Sequence, residues 1–183
     1  MIHFRKAEIP DLIEIQPDKF EDARGYFLET YREDLFRDAG IPTGFVQDNQ
    51  SSSKRGVLRG LHYQIRQPQG KLVRVIAGEI YDVAVDIRHS SPTFGRWFGL
   101  NLSGQQKNQL WIPPGFAHGF YVLSETAEIH YKATDYYAPQ WERTLLWNDP
   151  ALAICWPLIE GQSPVLSPKD TAGKPLSEAE TYS

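Results

Sequence analysis

The chain has 183 residues, 41% hydrophobic and 23% charged, with a formal net charge of −4. That balance describes one globular domain over residues 1–183, able to bury about two thirds of its unfolded surface. It gives no electrostatic case for nucleic acid, and no stretch approaches the ~18 apolar residues of a membrane span.

At the amino terminus, MIHFRKAEIPDL holds no apolar segment of signal-peptide length, so a cytoplasmic location is the expectation. The next stretch, FEDARGYFLET, carries Asp22, Arg24 and Glu29 around Phe27, denser in charge than a surface strand needs and with a ring for stacking. Glu33 to Ala39 reads as a helix ended by Gly40 and followed by Pro42. Strand signals dominate from there. Leu72–Ala77 and Ile80–Ile87 are β-branched runs joined by Gly78-Glu79, a hairpin signal. Period two in the second run puts Asp82, Ala84 and Asp86 on one face, where they meet solvent or line a polar cavity. Further strands are expected at Phe94–Leu102, Gln109–Ile112, Gly119–Ser124 and Ala127–Ala133, with turns at Ser103-Gly104 and Pro113-Pro114-Gly115. The single cysteine, Cys155, excludes an internal disulfide and, within ALAICWP, reads as a small buried hydrophobe. Ser167 or Ser177 is placed to cap a short helical turn. Short strands with short breaks make an all-β sandwich or closed barrel with few helices.

The chemistry concentrates in VLRGLHYQIRQPQGKLVR, residues 57–74. Arg59 is a clamp for phosphate, His62 a proton acceptor near neutral pH, and Lys71 a compact charge for a developing oxyanion. Together they imply an anionic substrate and acid–base chemistry. His118, held by the Pro-rich turn before it, either faces a cavity or pins its loop. His130 alternates with Tyr131 and faces away from whatever Tyr131 faces. Tyr131 is either a proton donor or a packed rim residue, and Asp170 taken alone is one loop acid among many. His3 and His89 sit in exposed polar contexts. Metal-binding cupin barrels open their ligand set with two histidines one residue apart; here the pair is His62 and Gln64, one strong donor short. No CxxC, HExxH, GxGxxG or GxxxxGK motif is present.

From about Ile9 to Pro175 the chain resembles the dTDP-4-dehydrorhamnose 3,5-epimerases. The resemblance rests on FxDxRGxFxE (20–29), FVQDNQSSS (45–53), LRGLHYQ (58–64), QGKLVR (69–74) and GEIYDVAVDIR (78–88). It continues through SPTFG, LWIPPGFAHGF (110–120), YKAT and YY between 131 and 137, LLWND (145–149) and LSPKD (166–170). It implies a cupin-type jelly-roll barrel with short peripheral helices and a reaction without metal or organic cofactor. The substrate implied is dTDP-4-dehydro-6-deoxy-D-glucose. By the same resemblance His62 is the general base, Asp170 its partner, Tyr131 the acid on the opposite face of the sugar, and Lys71 the cation at the C4 oxygen. Arg24 and Arg59 match diphosphate contacts. Phe27, Glu29, Gln47 and Asn49 match residues near the nucleotide, some reached across a homodimer interface. Asp82, His118, Tyr137, Trp141 and Glu142 match pocket positions. The rivals are an epimerase that inverts only C3 or C5, a metal-dependent cupin isomerase or oxygenase, and a non-catalytic nucleotide-sugar-binding sandwich.

Overall fold

Alternation of apolar and polar residues lays down two sheets. The computed structural model describes residues 1–183. Its strands are β1 (Ile2–Lys6), β2 (Ile13–Pro17), β3 (Phe20–Asp22), β4 (Gly25–Phe27), β5 (Gln47–Lys54), β6 (Leu58–Gln64) and β7 (Lys71–Ala77). They continue as β8 (Glu79–Asp86), β9 (Trp97–Ser103), β10 (Gln109–Ile112), β11 (Phe116–Val122), β12 (Thr126–Ala133) and β13 (Glu142–Thr144). Two short helices, α1 (Glu33–Asp38) and α2 (Pro168–Thr171), lie outside the sheets. One sheet runs β1-β2-β10-β7-β12-β5, the other β13-β6-β11-β8-β9, and β3 pairs only with β4. Every strand pair is antiparallel, and between β6 and β13 the chain switches sheets repeatedly, the wrapping of a cupin-like jelly roll. No helix is long and apolar enough to cross a membrane.

The interior face carries apolar and reactive side chains together. Val73 and Val75 of β7, Ile80 and Ala84 of β8, Phe120 and Val122 of β11, and Ala127 and Ile129 of β12 close one apolar core. On the same faces stand Lys71 and Tyr131, beyond Val73 and Ile129, and Asp82 and His118, each between two core residues of its own strand. Alternation thus turns the hydrocarbon and the reactive groups alike into the barrel interior. The outer faces are covered too. Phe36 of α1 and Ile41 lie over Ile13, Ile15, Leu72 and Trp111, while Leu152 and Trp156 from the C-terminal segment cover Leu61, Tyr63, Val83 and Val85. Each covered face removes an open apolar surface from water, at about 25 cal/mol per Å² buried.

Several sequence expectations change. The runs around Gly78 are strands, but β7 and β8 lie in different sheets and make no hairpin. Gly78 has φ +81°, and a Cβ there would stand 2.1 Å from the Thr126 carbonyl oxygen, so the chain bends between sheets where only glycine passes. The strand expected from Phe94 starts at Trp97, because Ser91–Phe94 is a turn held to Asp86 through Ser91 and Thr93. Ser167 caps α2, whereas Ser177 lies inside a 3₁₀ turn, Leu176–Glu178, with no side-chain cap. Cys155 is exposed rather than buried: its neighbours Ile154 and Trp156 take the packing positions. Asp82 and Asp86 do share a face, yet neither meets solvent.

Candidate active site

The barrel interior opens into a cavity of about 360 Å³. Of its 15 lining residues only three are hydrophobic, so it suits a polar or charged ligand. His62 and Arg59 enter it from β6, Lys71 from β7, His118 from β11, Tyr131 from β12, and Gln47 and Asn49 from β5.

An odd spacing of three should put Arg59 and His62 on opposite faces of β6. It does not, because a bulge intervenes. His62 pairs with His118 and Arg59 with Phe120, so two residues of β6, Gly60 and Leu61, face the single Gly119 of β11. The strands touch there: a Cβ on Gly60 would meet the Gly119 Cα at 2.5 Å. The paired glycines are what bring the phosphate-clamp type of side chain and the proton acceptor to one cavity.

His62 Nε2 hydrogen-bonds Asp170 Oδ1 at 2.6 Å. The same oxygen accepts the Gly60 N–H at 3.1 Å, and Oδ2 accepts the Ser167 Oγ–H at 2.6 Å and its N–H at 3.2 Å. Burial works against ionisation of Asp170, but these hydrogen bonds together outweigh it and hold the carboxyl well below its ordinary range. With Asp170 anionic, the His62 proton sits on Nε2 and Nδ1 is the basic nitrogen. Burial pulls the His62 pKa down; the hydrogen bond to Asp170 opposes it, and the nearby Lys169 and Lys71 add to it. The imidazole is therefore neutral at pH 7 and ready to take a proton.

Tyr131 moves the other way. Burial, then Glu142 and Tyr137, raise its pKa, so its phenol keeps its proton. Lys71 is lowered to about 8 by burial, with Asp82 and then Glu142 resisting. At neutral pH the cavity thus holds an unprotonated base, a protonated acid and a cation, the set needed for proton transfer next to a carbonyl. At the mouth Glu142 accepts from Lys169 at 2.8 Å and from the Tyr137 hydroxyl at 3.1 Å.

Not every expected residue reaches this cavity. Asp82 stands behind His118, bonded to its Nε2 at 2.8 Å and fully buried. Trp141 lies outside the lining, with the Arg66 guanidinium 4.5 Å from its ring centre. Arg24, Phe27 and Glu29 are remote: Arg24 is paired with Asp22 on the exposed β3–β4 hairpin, and Phe27 is 71% exposed. His130 faces away from Tyr131, toward Arg74 and Asp48. Gln64, at the second cupin-ligand position, gives its amide to Gln67 O and Tyr136 O and receives the Ala138 N–H, bracing the cavity rim. No group of three or more His, Cys, Asp or Glu side chains converges on a metal-sized site. Sequence reasoning missed Lys169; its position beside Asp170 in LSPKD was the available signal.

Comparison with known proteins decides the family. The family model for dTDP-4-dehydrorhamnose 3,5-epimerase matches residues 6–178. The chain belongs to that family. It is 58% identical over 178 residues to the dTDP-4-dehydrorhamnose 3,5-epimerase of Pseudomonas aeruginosa, covering 97% of each chain. The structure superposes with a TM-score of 0.95 on the dTDP-6-deoxy-D-glucose-3,5-epimerase of Legionella pneumophila in complex with dTDP-4-keto-L-rhamnose. That relative is 52% identical, with 98% of this chain and 95% of that one covered. A 3'-monoepimerase from Streptomyces bikiniensis, in complex with dTDP-quinovose, follows at TM-score 0.87 and 33% identity, covering 93% and 86%. Members of this epimerase family are isomerases of nucleotide sugars, and the polar cavity described above lies within the matched residues.

Proposed function

We propose that the chain inverts C3 and C5 of dTDP-4-dehydro-6-deoxy-D-glucose, giving dTDP-4-dehydro-L-rhamnose. The observation that carries this reading is the convergence of the His62–Asp170 pair, Lys71 and Tyr131 on one cavity. A C4 ketone acidifies the hydrogens on C3 and C5. His62 Nδ1 takes the proton, and the C–H electron pair moves into an enolate whose oxygen carries the charge. Asp170 fixes the tautomer and stabilises the imidazolium that forms. Lys71 faces the enolate oxygen, so its contribution grows as charge develops. Tyr131 then delivers its proton to the opposite face, inverting the carbon. Solvent returns a proton to the phenolate and accepts one from the imidazolium, and the cycle repeats at the second carbon. Arg59 serves the diphosphate, and Gln47 and Asn49 serve the nucleoside end.

The same reading gives a homodimer. β3 and β4 form a two-stranded hairpin with no third strand, and its Phe20, Tyr26 and Phe27 are more than half exposed. Such a hairpin is marginal alone in water. Docked on a second copy, it is covered, and Arg24, Phe27 and Glu29 gain a nucleotide to contact.

The test is proton NMR of the metal-stripped protein with dTDP-4-dehydro-6-deoxy-D-glucose in D₂O, with a 4-keto reductase trapping the product. Deuterium at both C3 and C5 with trapped dTDP-L-rhamnose is expected. Exchange at one carbon alone makes the chain a single-centre epimerase, like the S. bikiniensis relative; no exchange overturns the catalytic reading.

A further inference from the structure

Asp82 and His118 form a second histidine–carboxylate pair beside the first, on the strands next to it. His118 sits directly opposite His62 in the β6–β11 register, and Asp82 opposite Phe120 in the β8–β11 register. Asp82 Oδ1 takes the His118 bond, while its Oδ2 is buried with no hydrogen-bond partner. A carboxylate left half unpaired in a barrel interior is costly unless its charge acts on something. Lys71 stands on the opposite sheet, on the β7 face that carries Val73 and Val75, as Asp82 stands on the β8 face of Ile80 and Ala84, so both side chains turn into the same interior.

We propose that Asp82 is a positioning residue of this site: its buried carboxylate is the counter-charge that keeps Lys71 cationic at the substrate oxygen, while its other oxygen orients His118. The inference rests on the enolate reading above, because it assigns the source of the charge that reading requires.

The groups around Lys71 favour Asp82 for the role. From β13 and α2, Glu142 and Lys169 face it, but these two are bonded to each other at the mouth and largely cancel. His62 and Arg59 of β6 add no negative charge, and neither do His118 of β11 or the protonated Tyr131 of β12. The Lys71 ammonium makes no hydrogen bond or ion pair within the protein, so charge reaches it only through space. Of the two carboxylates acting on it, Asp82 is the stronger, and it is the one water does not screen.

The experiment is Asp82→Asn, which keeps the shape and can still accept from His118. Removing the negative charge disfavours the ammonium, so the Lys71 titration must move to lower pH. Competitive labelling of the Lys71 amine, read by mass spectrometry, is expected to show its midpoint lowered by about one pH unit or more. The alkaline limb of kcat should move with it, and KM should stay within a few-fold, since the contact to Lys71 tightens in the transition state. In a Lys71→Met background, Asp82→Asn should add little further loss. An unchanged labelling midpoint overturns the proposal, and so does a loss of rate with no change in the pH profile, the signature of a merely structural role. Should Asp82→Asn fail to fold, a carbon-13 titration of the wild-type Asp82 carboxyl carbon decides: a step at the Lys71 midpoint is expected, and a flat response overturns the role. Labelling reads Lys71 without turnover, so a protein that shows the shift yet exchanges no substrate hydrogens fails the function and keeps the electrostatic pairing.

Discussion

At the scale of single residues, environment separates the two groups proposed as acid and base. His62 is lowered from its ordinary 6.5 chiefly by burial, while Tyr131 is raised, also by burial. The charged form of each group is the costly one, so the imidazole is kept neutral and the phenol protonated. The pH profile follows with a definite sign. Activity needs neutral His62, so the acid limb of kcat/KM should have its midpoint below 6.5; it needs cationic Lys71, so the alkaline limb should fall near 8. A stopped-flow or coupled assay across this range checks both, and an acid midpoint at or above 6.5 contradicts the burial argument. Tyr131→Phe separates the half-reactions. Abstraction by His62 survives while delivery from the far face fails, so solvent deuterium should enter the substrate while inverted product falls by about 10²–10⁴-fold. Loss of exchange and inversion together would deny Tyr131 the role of acid. Much of this set was legible as residue types: Arg59, His62, Lys71 and Tyr131 all line the cavity. The contact between His62 and Asp170 came from the family resemblance alone, because a hydrogen bond across 108 positions leaves no local pattern.

At the scale of elements, α2 and the β6 bulge do the aiming. Ser167 and Asp170 close a capping box on a four-residue helix, and the same Asp170 faces His62 with its other oxygen. The helix is too short to hold itself together; its cap and its partner in the barrel fix it. The bulge carries the other half. A methyl on Gly119 would meet the Arg59 carbonyl oxygen at 2.6 Å and the Gly60 Cα at 3.0 Å. Gly119→Ala should therefore spread β6 from β11, costing about 1–3 kcal/mol. Thermal unfolding reads this as a fall in Tm of roughly 2–4 °C per kcal/mol, with a larger proportional loss in kcat/KM as Arg59 and His62 part. A variant with unchanged Tm and turnover would show that the close approach is unimportant. Strand positions were readable where period and turn chemistry agreed, as at Gln109–Ile112, which the structure reproduces. Pairing was less readable. Gly78-Glu79 has the local chemistry of a hairpin, but whether two strands pair or cross between sheets depends on what packs on their faces. Here Val83 and Val85 turn to the C-terminal segment while Val73 and Val75 turn to the core.

At the scale of the whole molecule, one chain leaves an unused hairpin and an open cavity mouth. The hairpin's Arg24 reaches only Asp22, and its Phe20, Tyr26 and Phe27 are more than half exposed. If the hairpin serves the cavity of a second copy, two different defects should complement each other. His62→Ala removes the proposed base, which typically costs 10²–10⁴-fold; Arg24→Ala removes the proposed diphosphate contact and should raise KM steeply. Each homodimer is then impaired. In a mixed dimer, the subunit with intact His62 receives the intact hairpin of its partner and forms one complete site, while the second site carries both defects. Random reassortment of equal amounts makes roughly half the dimers mixed, so roughly a quarter of all sites should regain wild-type KM and turnover. Were each hairpin to serve its own barrel, every chain would carry one defect, and mixing after mild dissociation would restore nothing. Steady-state kinetics of the reassorted sample, beside the two parents, separates exchange across the interface from a hairpin folded back on its own subunit.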